Sequence, residues 1–437
     1  MSTATSFEAQ VSAAAAADAP GSLKALREAG AAAFATLGFP TTRNEDWHYT
    51  NVSAIASTEF VPAVEKPVAT LADPAALAPF TFGGTWPLIV FLNGRFSSAL
   101  SQLDALPDGI RVMDLATAAT QEPELIARHL GAYAKADRDG FTALNASFAG
   151  EGTVIHVAKE MVVETPVHIL HVIDATGAGI MSHPRHLLIA ERHSKATVVE
   201  SYVALADVPY FTNTVVEAAV DNGATLQLVR IQQEARAAQH IGTVEAHQAR
   251  DSHFLTFTFQ TGASLSRSNV FTVLDGEGCG CTLNGLYMLD GQQHGDHQTR
   301  VEHVKENCFS REVYKGLLDG RSHGVFNGKV YVHPEAQKTD GKQTNQTLLL
   351  SETAQIDTKP QLEIFADDVK CMHGATVGRM DATSLFYLKS RGVSAQLAKQ
   401  LLMYAFAADV LETIENPVIV EALEQLTVQR FTGSTNH

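Results

Sequence analysis

Lys370-Cys371-Met372-His373-Gly374-Ala375-Thr376-Val377-Gly378 puts a thiol and an imidazole two positions apart, ahead of a Gly-rich turn. Sulfur and imidazole nitrogen are donors that iron, zinc and copper favour. Residues i and i+2 of an extended strand share a face, so Cys371 and His373 would present both donors to one side. Two donors do not fill a four-coordinate site. A metal or cluster held here needs further ligands from elsewhere, and another chain is one source. A buried thiol beside a hydrogen-bonded histidine is the plainer alternative.

The other thiols are Cys279, Cys281 and Cys308, and four cysteines in 437 residues make no disulfide framework. Cys308 follows the Cys279-Gly280-Cys281 pair by one unit of the repeat described below. The three are expected close together, either as inert small hydrophobes or as a metal or sulfur site. His294, His297 and His303 form a further group. The polar segment from Asp290 to His297 reads as a turn, so these are expected to be solvated surface histidines. Several chemistries are absent. Gly328-Lys329 is followed by Val330 and Gly341-Lys342 by Gln343, so there is no P-loop and no expectation of ATP hydrolysis by this chain. There is no Gly-x-Ser-x-Gly, His-Glu-x-x-His or Cys-x-x-Cys motif, and no dinucleotide fingerprint follows a strand.

The thiol–imidazole pair must be held by something, and the chain before it is β-rich. From about residue 150 to 377, short β-branched runs alternate with polar turns. Arg192-His193-Ser194, Asp221-Asn222-Gly223, Arg250-Asp251-Ser252, Gly276-Glu277-Gly278 and Lys305-Glu306-Asn307 recur at a step of roughly 28 residues. That step is too short for a propeller blade and leaves no room for a crossover helix. A coil of parallel strands with about seven or eight rungs fits it. After Gly378 the pattern turns helical. Thr383 to Gly392 reads as a short helix, Ser394 caps a second with apolar positions at Leu397, Leu401, Leu402, Ala405, Phe406 and Val410, and Pro417 opens a third. These helices are expected to cover the open end of the coil, whose edge is otherwise bare.

The N-terminal part is mixed. Ser22 to Leu37 reads as a helix ended by Gly38-Phe39-Pro40. Residues 60 to 85 read as an extended linker, Leu88–Leu92 as a strand running into the Asn93-Gly94 turn, and Glu122 to Tyr133 as a short helix. The domains expected are therefore 1–145, helical and mixed, 146–378, the β-coil, and 379–437, helical. The apolar fraction of 45% is that of a globular chain. No apolar run reaches about 18 residues, so no membrane span is expected. A net charge of −16 argues against nucleic acid as a partner. The N-terminus lacks a basic and apolar leader, and a cytoplasmic location is expected.

Three stretches resemble the SufB/SufD family of iron–sulfur cluster assembly proteins. Arg43-Asn44-Glu45-Asp46-Trp47-His48-Tyr49-Thr50 is similar to the family's Arg-x-Glu-x-Trp-x-Tyr-Thr element. Cys371 to Gly378 resembles its Cys-x-His-Gly-Ala-Thr-Val-Gly motif, and Leu385-Phe386-Tyr387-Leu388-Lys389-Ser390-Arg391-Gly392 is shared by both branches. Gly374 stands where the SufB branch has Glu, which points to the SufD branch. The resemblance implies a right-handed parallel β-helix flanked by N- and C-terminal helical domains. It implies pairing with a SufB-like paralogue through the β-helix, and with a SufC-like ATPase through the C-terminal helices. His373 would then be a ligand to a transient iron–sulfur cluster or iron at the paired interface, with a lesser part for Cys371, and ATP would be handled only by the partner. An isolated chain has the option of pairing with itself. Two other classes stay in view. One is a β-helix carbohydrate-active lyase or hydrolase using carboxylates such as Asp367 and Asp368. The other is a stand-alone metal-binding protein using Cys279, Cys281 and Cys308.

Overall fold

The computed structural model describes residues 3–432, apart from 83 and 105. From Thr153–Val157 to Lys370–Arg379 the chain runs back and forth between two sheets, one of 11 strands and one of 10. From Arg185–Ala190 up to the last rung, each strand pairs in parallel with the strand two further on. Leu265–Leu274 pairs with His294–His303 in one sheet, and Gly280–Leu289 pairs with Phe309–Leu318 in the other. The result is a parallel β-solenoid of about eight turns.

The repeating turns explain the step. His193, Gly223, Asp251, Gly278 and Asn307 all have positive φ, between 55° and 75°. These residues fill equivalent corners of successive rungs. The N–H of each donates to the corner above: His193 to Asn222, Gly223 to Arg250, Asp251 to Glu277, Gly278 to Glu306 and Asn307 to Gln337. Gly, Asn, Asp and His tolerate the left-handed region best, which is why the polar turn recurs in the sequence. Inside, the rungs stack one continuous apolar core from Ile89 and Phe91 to Leu318 and Phe326.

Both sheets carry helices on their outer faces. On the 11-stranded sheet, Thr3–Ala16, Gly21–Leu37 and Gly140–Ser147 pack Phe7, Phe34 and Phe141 with Trp47 against Phe211 and Ile241. On the 10-stranded sheet lie the C-terminal helices Ala395–Leu411 and Pro417–Thr432. Their Met403, Ala407, Val410, Leu411, Ile419 and Leu423 bury against Val229, Ile231, Phe257, Leu286 and Leu317. Each of the larger of these side chains taken from water stabilises the docking by about 1.5–3 kcal/mol, and Ala407 by less. Lys315 fixes the register, donating to the Phe406 carbonyl at 2.9 Å and pairing with Asp409.

The helices start where their caps predict. Asp381 accepts from Thr383 and Ser384 N–H, and Ser394 accepts from Leu397 N–H. Their placement differs from expectation. They lie across the side of the solenoid and leave its last rung uncovered, because the broad apolar outer face of the 10-stranded sheet offers more contact than the end. Residues 60–85 also differ from a free linker. Phe60, Ala63 and Leu77 are buried, and two 3-10 turns, Ala63–Glu65 and Pro74–Phe80, pack this stretch onto the first rungs. The short helix expected over 122–133 is found as Pro123–His129, and another short helix, Leu115–Gln121, precedes it. Among the described residues no helix is long and apolar enough to cross a membrane.

Candidate functional site at the bare end of the solenoid

Cys371 and His373 lie on Lys370–Arg379, the last strand of the 10-stranded sheet. The other sheet ends on Gln355–Ile364. Both strands are ten residues long and neither has a buried residue. Lys370 N–H donates to the Thr339 carbonyl, which sets the phase of the ladder. Alternate residues from Lys370 bond to the preceding rung. Cys371, His373, Ala375 and Val377 therefore turn their backbone groups toward the bare edge.

The two side chains share the inward face, as expected for i and i+2. Cys371 is half-buried against Val330, Val332 and Ala366, above Gly341. Burial pushes its thiol up from the ordinary value. His373 is exposed. Among the described residues the pair completes no cluster of three His, Cys or carboxylate donors. Chemically this is half a coordination sphere: one open imidazole and one shielded thiol.

A polar column runs inward beneath His373. The parallel register sets His373 over Gln343, and Gln343 over Glu312. Gln343 Nε2 donates to Glu312 Oε1 at 3.1 Å, and the Thr299 hydroxyl donates to Glu312 Oε2 at 2.6 Å. Burial pushes the Glu312 carboxyl up to about 7, against the pull of these two bonds. Sequence reasoning missed Glu312 and Gln343. The signal was there, as polar residues recurring one rung apart on inward positions.

The remaining candidates fall elsewhere. Cys279 and Cys308 are buried at neighbouring corners, where their thiols donate to the Ala249 and Gly276 carbonyls at 2.9 and 3.2 Å. The neighbouring Cys308 thiol, with help from Ser252, lowers Cys279 from the ordinary thiol value against the effect of burial. Cys281 stands apart from Cys308 on an inward strand position under Ser310. Burial raises it strongly, as for an inert core thiol. The three histidines are not solvated. The turn is Asp290–Gln293, and His294 already begins a strand. His297 and His303 point inward and are fully buried, and burial lowers each to about 4. His294 is partly covered by the N-terminal segment and hydrogen-bonds Thr50 at 2.9 Å.

A second group, His171, His186 and Glu200, lies deep in the first rungs with its donor atoms within 4.8 Å of one another. Its hydrogen bonds argue against a cation. His186 Nδ1 accepts from Thr153 N–H at 3.2 Å. A neutral His186 bound to metal through Nε2 carries its proton on Nδ1, facing that N–H. Glu200 is already committed to Arg230 at 2.7 Å and to the Tyr202 hydroxyl. Burial would push Glu200 up, yet Arg230 and the neighbouring histidines overcome it and hold it below the usual carboxylate range. The group is a shared-proton core, with His186 Nε2 and His171 Nε2 3.1 Å apart.

The Arg43–Thr50 stretch docks on the outer face near the last rungs. Trp47 is buried under the Arg267 guanidinium, 3.7 Å from the ring centre. Arg267 and Thr50 both bond Asp296, at 2.7 and 2.5 Å. Glu45 accepts from Lys359, on the last strand of that sheet, at 2.9 Å. Far from this docking, on the C-terminal helices, Phe386, Tyr387, Leu397 and Leu401 are exposed.

Comparison with known proteins matches these regions. Residues 171–406 match the SufBD core domain of the SUF system for FeS cluster assembly, and residues 5–169 match the SufBD protein N-terminal region. The iron–sulfur cluster assembly protein SufD of Escherichia coli strain K12 is 32% identical, over 90% of this chain and 89% of its own length. A SufBD family iron–sulfur cluster assembly protein of Synechocystis is 31% identical, over 89% of this chain and 86% of its own. The SufD of Bacillus subtilis is 27% identical over 70% of each chain. A solenoid ending on a Cys-x-His strand, its N-terminal Trp motif folded back onto the last rungs, thus coincides with matches along almost the whole sequence, and the chain belongs to the SufBD family of iron–sulfur cluster assembly proteins.

Proposed function

We propose that this chain is a non-catalytic, SufD-like scaffold subunit of a cytoplasmic complex that builds and transfers iron–sulfur clusters. The observation that carries the reading is the bare end of the solenoid. Two ten-residue parallel edges stand free there, and an exposed imidazole lies on one of them. A long open edge is a template for another chain. The partner is a SufB-like paralogue, whose own last rungs continue both sheets. His373 supplies one ligand to the nascent cluster at the seam, and the partner supplies thiolate and carboxylate. Cys371, shielded and held protonated, has the lesser part. The cluster is cargo, and an imidazole, weaker than thiolate, suits a ligand set that must let go.

The unit 379–437 is read as the docking domain for a SufC-like ATPase. Support comes from the exposed Phe386 and Tyr387 on the short helix Ala382–Ser390, and from Leu397 and Leu401, exposed on a helix whose other side is anchored. ATP chemistry then belongs to that partner. Without the paralogue, the same edge is free to pair with a second copy of this chain.

The test is co-purification with the two partners, with iron and sulfide analysis. His373→Ala should leave the complex assembled but reduce its cluster content at least tenfold. Unchanged content would sink the ligand role. Truncation after Ser390 should abolish ATPase binding, and retained binding would refute the docking assignment.

A further inference from the structure

Gln343 carries an unusual imbalance. Its side chain is fully buried one rung below His373. Its amide Nε2 is spent on Glu312, at 3.1 Å. Its carbonyl Oε1 has no partner among the described residues. A buried carbonyl without a donor is costly, so the position is built for a donor that arrives.

The space around the amide is arranged for it. Gly328, on the facing strand, lies against it, and a Cβ there would fall 2.2 Å from Gln343 Nε2 and 3.0 Å from Oε1. The glycine keeps the amide in place beneath the last strand. Glu312 holds it from below and is itself fixed by Thr299. Same-face neighbours on paired strands are about 5 Å apart, within reach of an imidazole ring.

A histidine that binds a metal through one nitrogen carries a proton on the other. That N–H is almost always donated to a carboxylate or carbonyl, which fixes the ring and its tautomer. We infer that Gln343 is the positioning residue for His373: its Oε1 accepts the ring N–H that His373 turns inward, so that the other ring nitrogen faces the metal across the open edge. Glu312 serves as the strut that prevents the amide from turning over. With Nε2 tied to a carboxyl oxygen, only the carbonyl end is left to face His373.

The inference rests on His373 being a metal ligand, and the experiment separates the two. The full chain is labelled with 15N at histidine and titrated with Co2+ as the probe. Binding and ring tautomer are read together from nitrogen–proton correlation spectra. His373→Ala identifies the His373 signals and should remove the Co2+ effect assigned to them. Gln343→Leu, similar in size but without an acceptor, should weaken Co2+ at His373 by about 10- to 100-fold and leave its ring in mixed tautomers. Gln343→Glu, which keeps an acceptor, should restore both. Wild-type affinity and a single tautomer in Gln343→Leu would overturn the inference while leaving His373 as a ligand. Co2+ binding unchanged in His373→Ala would overturn the ligand reading itself. If Gln343→Leu lowers the Tm, Gln343→Glu decides, since failure of that stably folded variant to restore the tautomer overturns the inference.

Discussion

The two ends of the solenoid are finished in opposite ways. At the N-terminal end the sheets close on short antiparallel pieces. Arg95–Phe96 folds back on Leu88–Leu92, and Ile110–Asp114 runs against Thr153–Val157. Short strands and a reversal of direction blunt an edge that would otherwise recruit another chain. At the C-terminal end both sheets stop at full width, parallel and uncovered, although three helices follow in sequence and were free to cap them. Under the scaffold role proposed above, the contrast gives the ends different tasks: one is closed for folding, the other stays open for pairing. Side-chain chemistry follows the same division. The closed end seals its histidines and the Glu200–Arg230 pair away from water, and the open end stacks a carboxyl, an amide and an imidazole toward solvent.

Acid should have the largest effect on this contrast. Burial lowers His168 and His183, in the first turns, to about 3. Folded values below the unfolded one mean that the unfolded chain takes up protons first. The stability due to neutral burial is complete above about 6.5 and is lost as pH falls toward 3. At pH 4.5 each should cost about 2–3 kcal/mol, read from denaturation midpoints against pH 7. An unchanged midpoint would deny that the closed end is dry. Next is Phe91→Ala. Phe91 is fully buried, against Phe96 and stacked on His171, and its loss should cost about 3–5 kcal/mol.

Glu312 reverses the sign of the acid effect. Its folded carboxyl titrates near 7, above the ordinary 4.5. The folded state therefore holds the proton more tightly, and stability falls as pH rises from about 4.5 to 7. Glu312→Gln should remove that slope, gaining up to about 3 kcal/mol over wild type at pH 8 and little at pH 4.5. A parallel pH profile would place Glu312 in a wetter site than its burial indicates.

The edge itself is probed by Ala375→Pro. The Ala375 N–H faces the bare edge, so proline removes a pairing donor without breaking the ladder behind it, and Gly374 tolerates the constraint before it. The fold should survive, while pairing with the paralogue or with a second copy weakens by about 100-fold in analytical ultracentrifugation. Full-strength pairing would move the interface elsewhere. The smallest change is expected for Val377→Ala. This exposed residue on the same strand should alter monomer stability by less than about 0.5 kcal/mol, in contrast with Phe91→Ala at the closed end.

Much of this architecture was legible in the sequence. The corner residues give the repeat because few side chains accept positive φ, and two helix starts are written in Ser394 and Pro417. The Cys371–His373 pair could be placed on one face by strand periodicity alone. What could not be read is which surface an apolar stripe covers. Ala407 and Val410 announce a buried face, but not that Leu286 and Leu317 lie under it. His297 and His303 were misjudged because a polar residue next to a turn normally faces water, whereas a solenoid interior can hold polar rungs. The Glu200–Arg230 bond and the Glu312–Gln343 column were hidden for a related reason. Their members are a full rung apart in sequence and meet only once the register is set.

The strap formed by the Arg43–Thr50 stretch has a consequence for biosynthesis. Thr50 bonds residues 244 and 246 positions later, and Glu45 bonds Lys359, 314 positions later. A ribosome delivers the strap long before its anchors. Until His294–His303 has emerged, Trp47 lacks the Arg267–Asp296 platform, and until Gln355–Ile364 has emerged, Glu45 lacks Lys359. Contacts of such long range are slow to form and leave apolar surface open meanwhile. The chain therefore closes its strap and lays down its last rungs in the same late interval of synthesis, so that a chain cut short of those rungs leaves both unfinished.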